Sequence, residues 1–256
     1  MGDKLDHTGS LEFSAAPLIE VALKRVPRHH IPVSLNLVTR IWEELRSEFT
    51  RILGLEGIEQ PPVAFQNATF DAFETTGCRF VNDEMGVTVT LQTDLLVVRW
   101  VAADGKEYPR FSSLQDVAER VIRAINKHSI QEFRTVVVNL AYANRLQLAE
   151  TDGVTAPQPW PLSPDWTPSS IFATKQPMEL TSAFRSEDGI DRKLTLQLRT
   201  DAVASRDWYL FLTVAGAQVP EGSDSIETEN NVHSALVKWY PTILSKEAKV
   251  AFGMKN

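Results

Sequence analysis

Apolar residues along this chain either alternate or recur at helical spacing, and the two patterns place most of its elements. Leu18, Ile19, Val21 and Leu23 form a short apolar run with partial alternation. They predict a strand over residues 13–26, closed by Pro27, which lacks a backbone donor. Ser34 then suits a helix N-cap, and Leu37, Ile41, Leu45, Phe49 and Ile52 follow at spacings of four, four, four and three. That stripe predicts a helix over 34–53, with Gly54 and Gly57 as stops. Pro61-Pro62 opens an extended stretch to residue 73. A strand ending at Val81 leads into the turn-rich Asn82-Asp83-Glu84-Met85-Gly86, Val87-Thr-Val-Thr-Leu91 then alternates with period two, and 95–101 reads as the third strand. Leu114, Val117, Val121 and Ile125 share one face of a helix over 112–127. The β-branched run centred on Val136-Val137-Val138 predicts a strand over 133–140.

From residue 146 the rhythm breaks. Prolines stand at 157, 159, 161, 164, 168 and 177, too dense for a helix or a central strand. Trp160 and Trp166 lie inside this segment. Two indoles in a solvated tether would forfeit a large apolar area, so residues 146–177 read as an ordered crossover anchored by both tryptophans. Beyond it the earlier order returns: a strand over 178–185, a turn at Ser186-Glu187-Asp188-Gly189, alternating Leu194, Leu196 and Leu198, and a strand over 208–214. A helix capped by Asp224 or Ser225 follows, in which Pro241 marks a kink or division. A strand, a connection, three strands and a helix are thus stated twice. The expected fold is α+β and pseudo-duplicated, a mostly antiparallel sheet with long helices packed on it. Its expected organisation is a flexible N-terminus over 1–12, a first half over 13–145, the crossover at 146–177, and a second half over 178–256 cooperative with the first.

Charge narrows the function. Among 256 residues, 26 Lys and Arg face 33 Asp and Glu, a net charge of −7. Bulk electrostatic binding of free nucleic acid is therefore disfavoured. A single cysteine, Cys78, cannot form an intramolecular bridge. No apolar stretch approaches the roughly 18 residues of a spanning helix. Residues 1–10 are polar, and Asp6 does not suit myristoylation of Gly2. The expectation is a cytoplasmic protein with no membrane contact.

Candidate chemistry is sparse. Lys24, Arg25, Arg28, His29 and His30 form the one local basic cluster, which Arg99, Arg110 and Arg134 are placed to join in space. Aromatic interleaving for base stacking is missing around it. His29-His30 is the one histidine pair, but neighbours on an extended segment point to opposite sides, and the surrounding cations repel a metal. Arg79 beside Cys78 favours a thiolate, although no histidine is near in sequence. Asp83-Glu84 and Glu187-Asp188 occupy corresponding turns, where carboxylates serve either acid–base chemistry or the backbone needs of turns. Glycine-rich phosphate loops and nucleophile elbows do not occur, and no cofactor is expected.

The opening Ala16-Pro17-Leu18-Ile19-Glu20-Val21-Ala22-Leu23, the segment Tyr108-Pro109-Arg110-Phe111 before a helix, and Val138-Asn139-Leu140-Ala141-Tyr142-Ala143-Asn144-Arg145 stand in a recognisable order. So does the final helix with His233, ending on Glu247-Ala248-Lys249 and Phe252-Gly253. Together they resemble a sporadically distributed, uncharacterised prokaryotic family of about 250 residues, over nearly the whole chain. Thr213-Val214-Ala215-Gly216 departs from the acidic end that this family's corresponding strand carries. The resemblance implies defence, toxin–antitoxin or mobile-element genes and brings no activity with it. The expected function is a non-catalytic interaction or regulatory subunit with a protein partner, encoded nearby, or with a second copy of itself. The alternatives are a nucleic-acid-binding subunit acting through residues 24–30 within a complex, or a metal-dependent hydrolase built from scattered carboxylates.

Overall fold

A computed structural model of the chain describes residues 18–54, 77–102, 107–146, 148–151, 154–157, 162, 179–185, 190–200 and 206–252. Strand β1 (Leu18–Pro27) is followed by helix α1 (Leu35–Leu45) and the short strand β2 (Arg51–Gly54). A meander of β3 (Gly77–Asn82), β4 (Val87–Gln92) and β5 (Leu95–Val101) then leads into helix α2 (Phe111–His128). Next come β6 (Thr135–Leu146), a hairpin of β7 (Leu148–Thr151) and β8 (Val154–Pro157), and a second meander of β9 (Glu179–Arg185), β10 (Asp191–Thr200) and β11 (Arg206–Gln218). Helices α3 (Ser225–Ile243) and α4 (Lys246–Ala251) end the described chain.

Nine strands form one antiparallel sheet in the order β2-β3-β4-β5-β1-β6-β11-β10-β9. The chain is therefore α+β. β1 and β6 lie side by side at the centre, and each is flanked outward by the last strand of a meander that runs on into a helix. β6, the last strand of the stretch 13–145, pairs with both β1 and β11, so the two meanders belong to a single continuous sheet.

Alternation decides which side chains meet the helices. In β1, Val21, Leu23 and Arg25 face α2 and α3, while Glu20, Ala22 and Lys24 face the other way; all six are buried. Leu96, Val98 and Trp100 of β5, Val138 and Leu140 of β6, and Leu210, Leu212 and Val214 of β11 complete the floor under the helices. The α2 stripe Leu114, Val117, Val121 and Ile125 is buried as its spacing predicts, each side chain contributing roughly 1.5–3 kcal/mol of transfer free energy. On the opposite face Ala22, Leu95, Val97 and Ala141 form a small second cluster.

Three elements differ from the sequence expectation. Helix α1 begins as predicted, with the Ser34 hydroxyl accepting from the Leu37 amide at 3.2 Å. It stops at Leu45 rather than running to 53, because residues 51–54 pair with the edge of β3. Phe49 keeps its place on the helical stripe and is 1% exposed, whereas Ile52 is 38% exposed. The stretch 146–177 contains the β7–β8 hairpin, which lies ahead of most of the prolines. Pro241 neither divides α3 nor ends it; the helix runs two residues further, and α4 starts under its own cap, Ser245. Trp160 and Trp166 lie outside the described residues. Leu162, between them, is buried and bridged to Leu244.

Candidate functional site

The five basic residues of 24–30 do not share one surface. Lys24 projects from β1 onto the face away from the helices, where burial lowers its ammonium to about 8 against the pull of Asp94. Arg25 projects the other way and is fully buried. Its guanidinium grips Glu229 of α3 through two contacts, Nε to Oε1 at 2.6 Å and Nη2 to Oε2 at 2.9 Å. Nη1 reaches Glu119 of α2 at 2.5 Å. Gln115 donates to Glu229 at 3.0 Å and to Asn230 at 3.2 Å. Burial pushes the Glu229 carboxyl above the usual range, opposed by Arg25. This polar seam joins the central strand to both long helices. Replacing such a cluster by apolar groups costs little, whereas removing one partner costs much.

Arg28, His29 and His30 are exposed on the turn after β1. Two backbone bonds hold that turn, from the Arg28 amide to the Arg134 carbonyl at 2.8 Å and from the Ile31 amide to the Thr93 carbonyl at 2.7 Å. Arg28 also meets Glu221 at 3.3 Å. Of the three arginines expected to join the cluster, Arg134 stands beside the turn. Arg99 pairs with Glu20 at 2.9 Å, and it lies six residues up β1 by register, about 20 Å away. Arg110 precedes α2, where it takes a φ of 72°.

A second group of interest lies at the other end of the sheet. Register places Trp100, Val21 and Tyr142 side by side on adjacent strands. Tyr108 packs over Trp100, ring centroids 5.2 Å apart. Phe111, the first residue of α2, stacks on His233 of α3 at 4.4 Å and 14°. His233 Nδ1 is 2.6 Å from the Tyr142 hydroxyl, and burial holds the imidazole down to about 4. Burial raises both tyrosine hydroxyls well above their ordinary value. Trp100 is 2% exposed, while Tyr108, Tyr142 and His233 are half-buried. The segment Tyr108-Pro109-Arg110-Phe111 thus supplies two walls of the cluster. Arg110 in the left-handed region turns the chain between them, a conformation that costs a non-glycine residue about 1–3 kcal/mol.

The remaining sequence candidates are placed as follows. Asp83 is gripped by Arg51 at 2.6 and 2.5 Å, joining the β3–β4 turn to β2. Burial pushes the Cys78 thiol up to about 12, the reverse of nucleophile activation. Glu187 and Asp188 lie outside the described residues. Among the described residues no three His, Cys, Asp or Glu side chains converge in a metal-binding group, and no helix is long and apolar enough to cross a membrane. Sequence reasoning missed Glu119, Glu229 and the Tyr142–His233 pair. Parity in β1 offered a signal, since Arg25 shares the face of Val21 and Leu23 and needs buried carboxylates there.

No family model matches this chain, and no curated protein is similar to it. The resemblance drawn from the sequence rests on its motifs alone.

Proposed function

We propose that the chain is a non-catalytic interaction or regulatory subunit of a prokaryotic defence, toxin–antitoxin or mobile-element system. The observation that carries this reading is the division of the basic segment. Lys24 and Arg25 are spent inside the fold, and the exposed remainder is a short turn of Arg28, His29 and His30 beside Arg134. In a chain of net charge −7, so small a cationic feature suits an acidic spot on a protein partner better than a run of phosphates. The turn is braced by backbone bonds, which lowers the ordering cost of binding.

Co-expression with the product of an adjacent gene, followed by size-exclusion chromatography with light scattering, tests it. A stable complex is expected, lost when Arg28, His29 and His30 are all changed to Glu while the melting temperature of the chain stays put. Binding of duplex or single-stranded DNA that weakens steeply with salt, and is abolished by the same triple change, would transfer the reading to a nucleic-acid-binding subunit.

A further inference from the structure

We propose that β9, one edge of the nine-stranded sheet, pairs antiparallel with β9 of a second copy of this chain, about a two-fold axis at Ser182. Among the described residues β9 pairs with β10 alone. An edge strand presents a row of backbone donors and acceptors along its outer side, and soluble proteins blunt such edges with short strands, lysine, proline or bulges. β9 has seven residues, none of them Lys, Pro or Gly, and its register with β10 runs without a slip. The other edge differs. β2 has four residues and ends on Gly54, and Arg51 is already held by Asp83.

The β9 sequence Glu-Leu-Thr-Ser-Ala-Phe-Arg is complementary to itself when reversed. Pairing centred on Ser182 sets Glu179 opposite Arg185 of the second copy, Leu180 opposite Phe184 and Thr181 opposite Ala183, each pair occurring twice. Opposite charges and apolar–aromatic pairs are combinations that stabilise antiparallel strands. Each residue meets one of the same parity, so positions whose backbone groups point outward meet each other, as an antiparallel ladder requires. Register also fixes the faces. Leu180 and Ser182 lie opposite Leu196 and Leu194 of β10, both buried in the core under the helices, and Phe184 shares that face. The Leu180–Phe184 pairs therefore continue this face across the joint. On the other face Arg185 stands opposite Asp191 of its own chain, and Glu179 of the second copy brings a carboxylate to its outer side. Two copies of net charge −7 repel at long range, so local matching of this kind selects the pairing. β9 stands four strands from β1 in the sheet, and the inference is independent of the partner reading above.

The test uses the full chain alone. Sedimentation velocity from about 1 to about 100 µM should show a monomer–dimer equilibrium, the range suited to a small interface. Amide hydrogen exchange of residues 179–185 should slow as dimer accumulates, while exchange in β2 stays the same. Glu179→Arg alone and Arg185→Glu alone each set like charges face to face and should weaken the dimer about tenfold. An equimolar mixture of the two variants restores opposite charges at both positions and should recover association as a heterodimer, which also shows that each variant is folded. A chain that stays monomeric throughout, exchange in β9 that ignores concentration, or a mixture no more associated than its components overturns the proposal. So does a dimer that survives both charge reversals, which would place the contact on another face.

Discussion

Arg25 and His233 each join a helix to the central strands through a buried polar contact. Arg25→Ala would leave Glu229 buried without its cation, and a loss of about 3–5 kcal/mol at neutral pH is expected in urea denaturation. Because burial already raises the Glu229 carboxyl, protonation relieves the stranded charge, so the loss should shrink between pH 7 and pH 5. Arg25→Met combined with Glu229→Leu should recover most of the stability at pH 7. His233 acts in the opposite sense to Glu229. Its folded value of about 4 lies below the ordinary 6.5, so the unfolded chain binds the proton more readily between those values. Its contribution is complete above about 6.5 and declines as the pH falls toward 4, by at most about 3 kcal/mol. Glu229, with a raised carboxyl, contributes more as the pH falls. The His233 share is therefore isolated by subtracting the stability curve of His233→Gln, which keeps an acceptor for Tyr142 but does not titrate. That difference should fall from pH 7 to pH 5, and a flat difference would refute the assignment.

At the scale of elements, local chemistry and strand pairing divide the control. Ser34 caps α1 through the Leu37 amide, and Ser34→Ala should cost about 1 kcal/mol in thermal or urea unfolding. β11 shows the other kind of control. Its pairing with β6 slips between Val214 and Ala217, and Gly216 sits in the slip at a φ of 75°, its amide donating to Asn139 Oδ1 at 2.5 Å. Nothing lies within 4 Å of where a Cβ would stand. Gly216→Ala should therefore cost about 1–2 kcal/mol from backbone conformation alone. Gly216→Asn should cost less and Gly216→Val more, an order that three melting curves would check. The bulge was not legible, since the strand expected over 208–214 stops short of Gly216. The early stop of α1 was hidden likewise, because Ile52 continues the helical spacing and only the neighbouring edge of β3 draws residues 51–54 into a strand.

The whole molecule should unfold as one unit. β1 and β6 pair along nearly their full lengths at the centre of the nine-stranded sheet, and Arg25 ties that centre to α2 and α3, helices from the middle and the last part of the chain. A single urea transition, coincident by tryptophan emission and far-ultraviolet dichroism, is expected. Limited proteolysis within 150–170 should not release two independently folded pieces. Alternation and helical spacing by themselves determined the strands of both meanders, the burial stripe of α2, the cap of α1 and the α+β class, because those signals are local and repeat within a few residues. They also determined that Arg25 shares a face with Val21 and Leu23. The partners of that face were decided by tertiary structure alone. Glu119 and Glu229 stand 110 residues apart, and Tyr142 meets His233 only because the sheet places β6 under α3. Pairing between distant segments follows from competition among many alternatives for burial and backbone hydrogen bonds, and no short window of sequence contains the outcome of that competition.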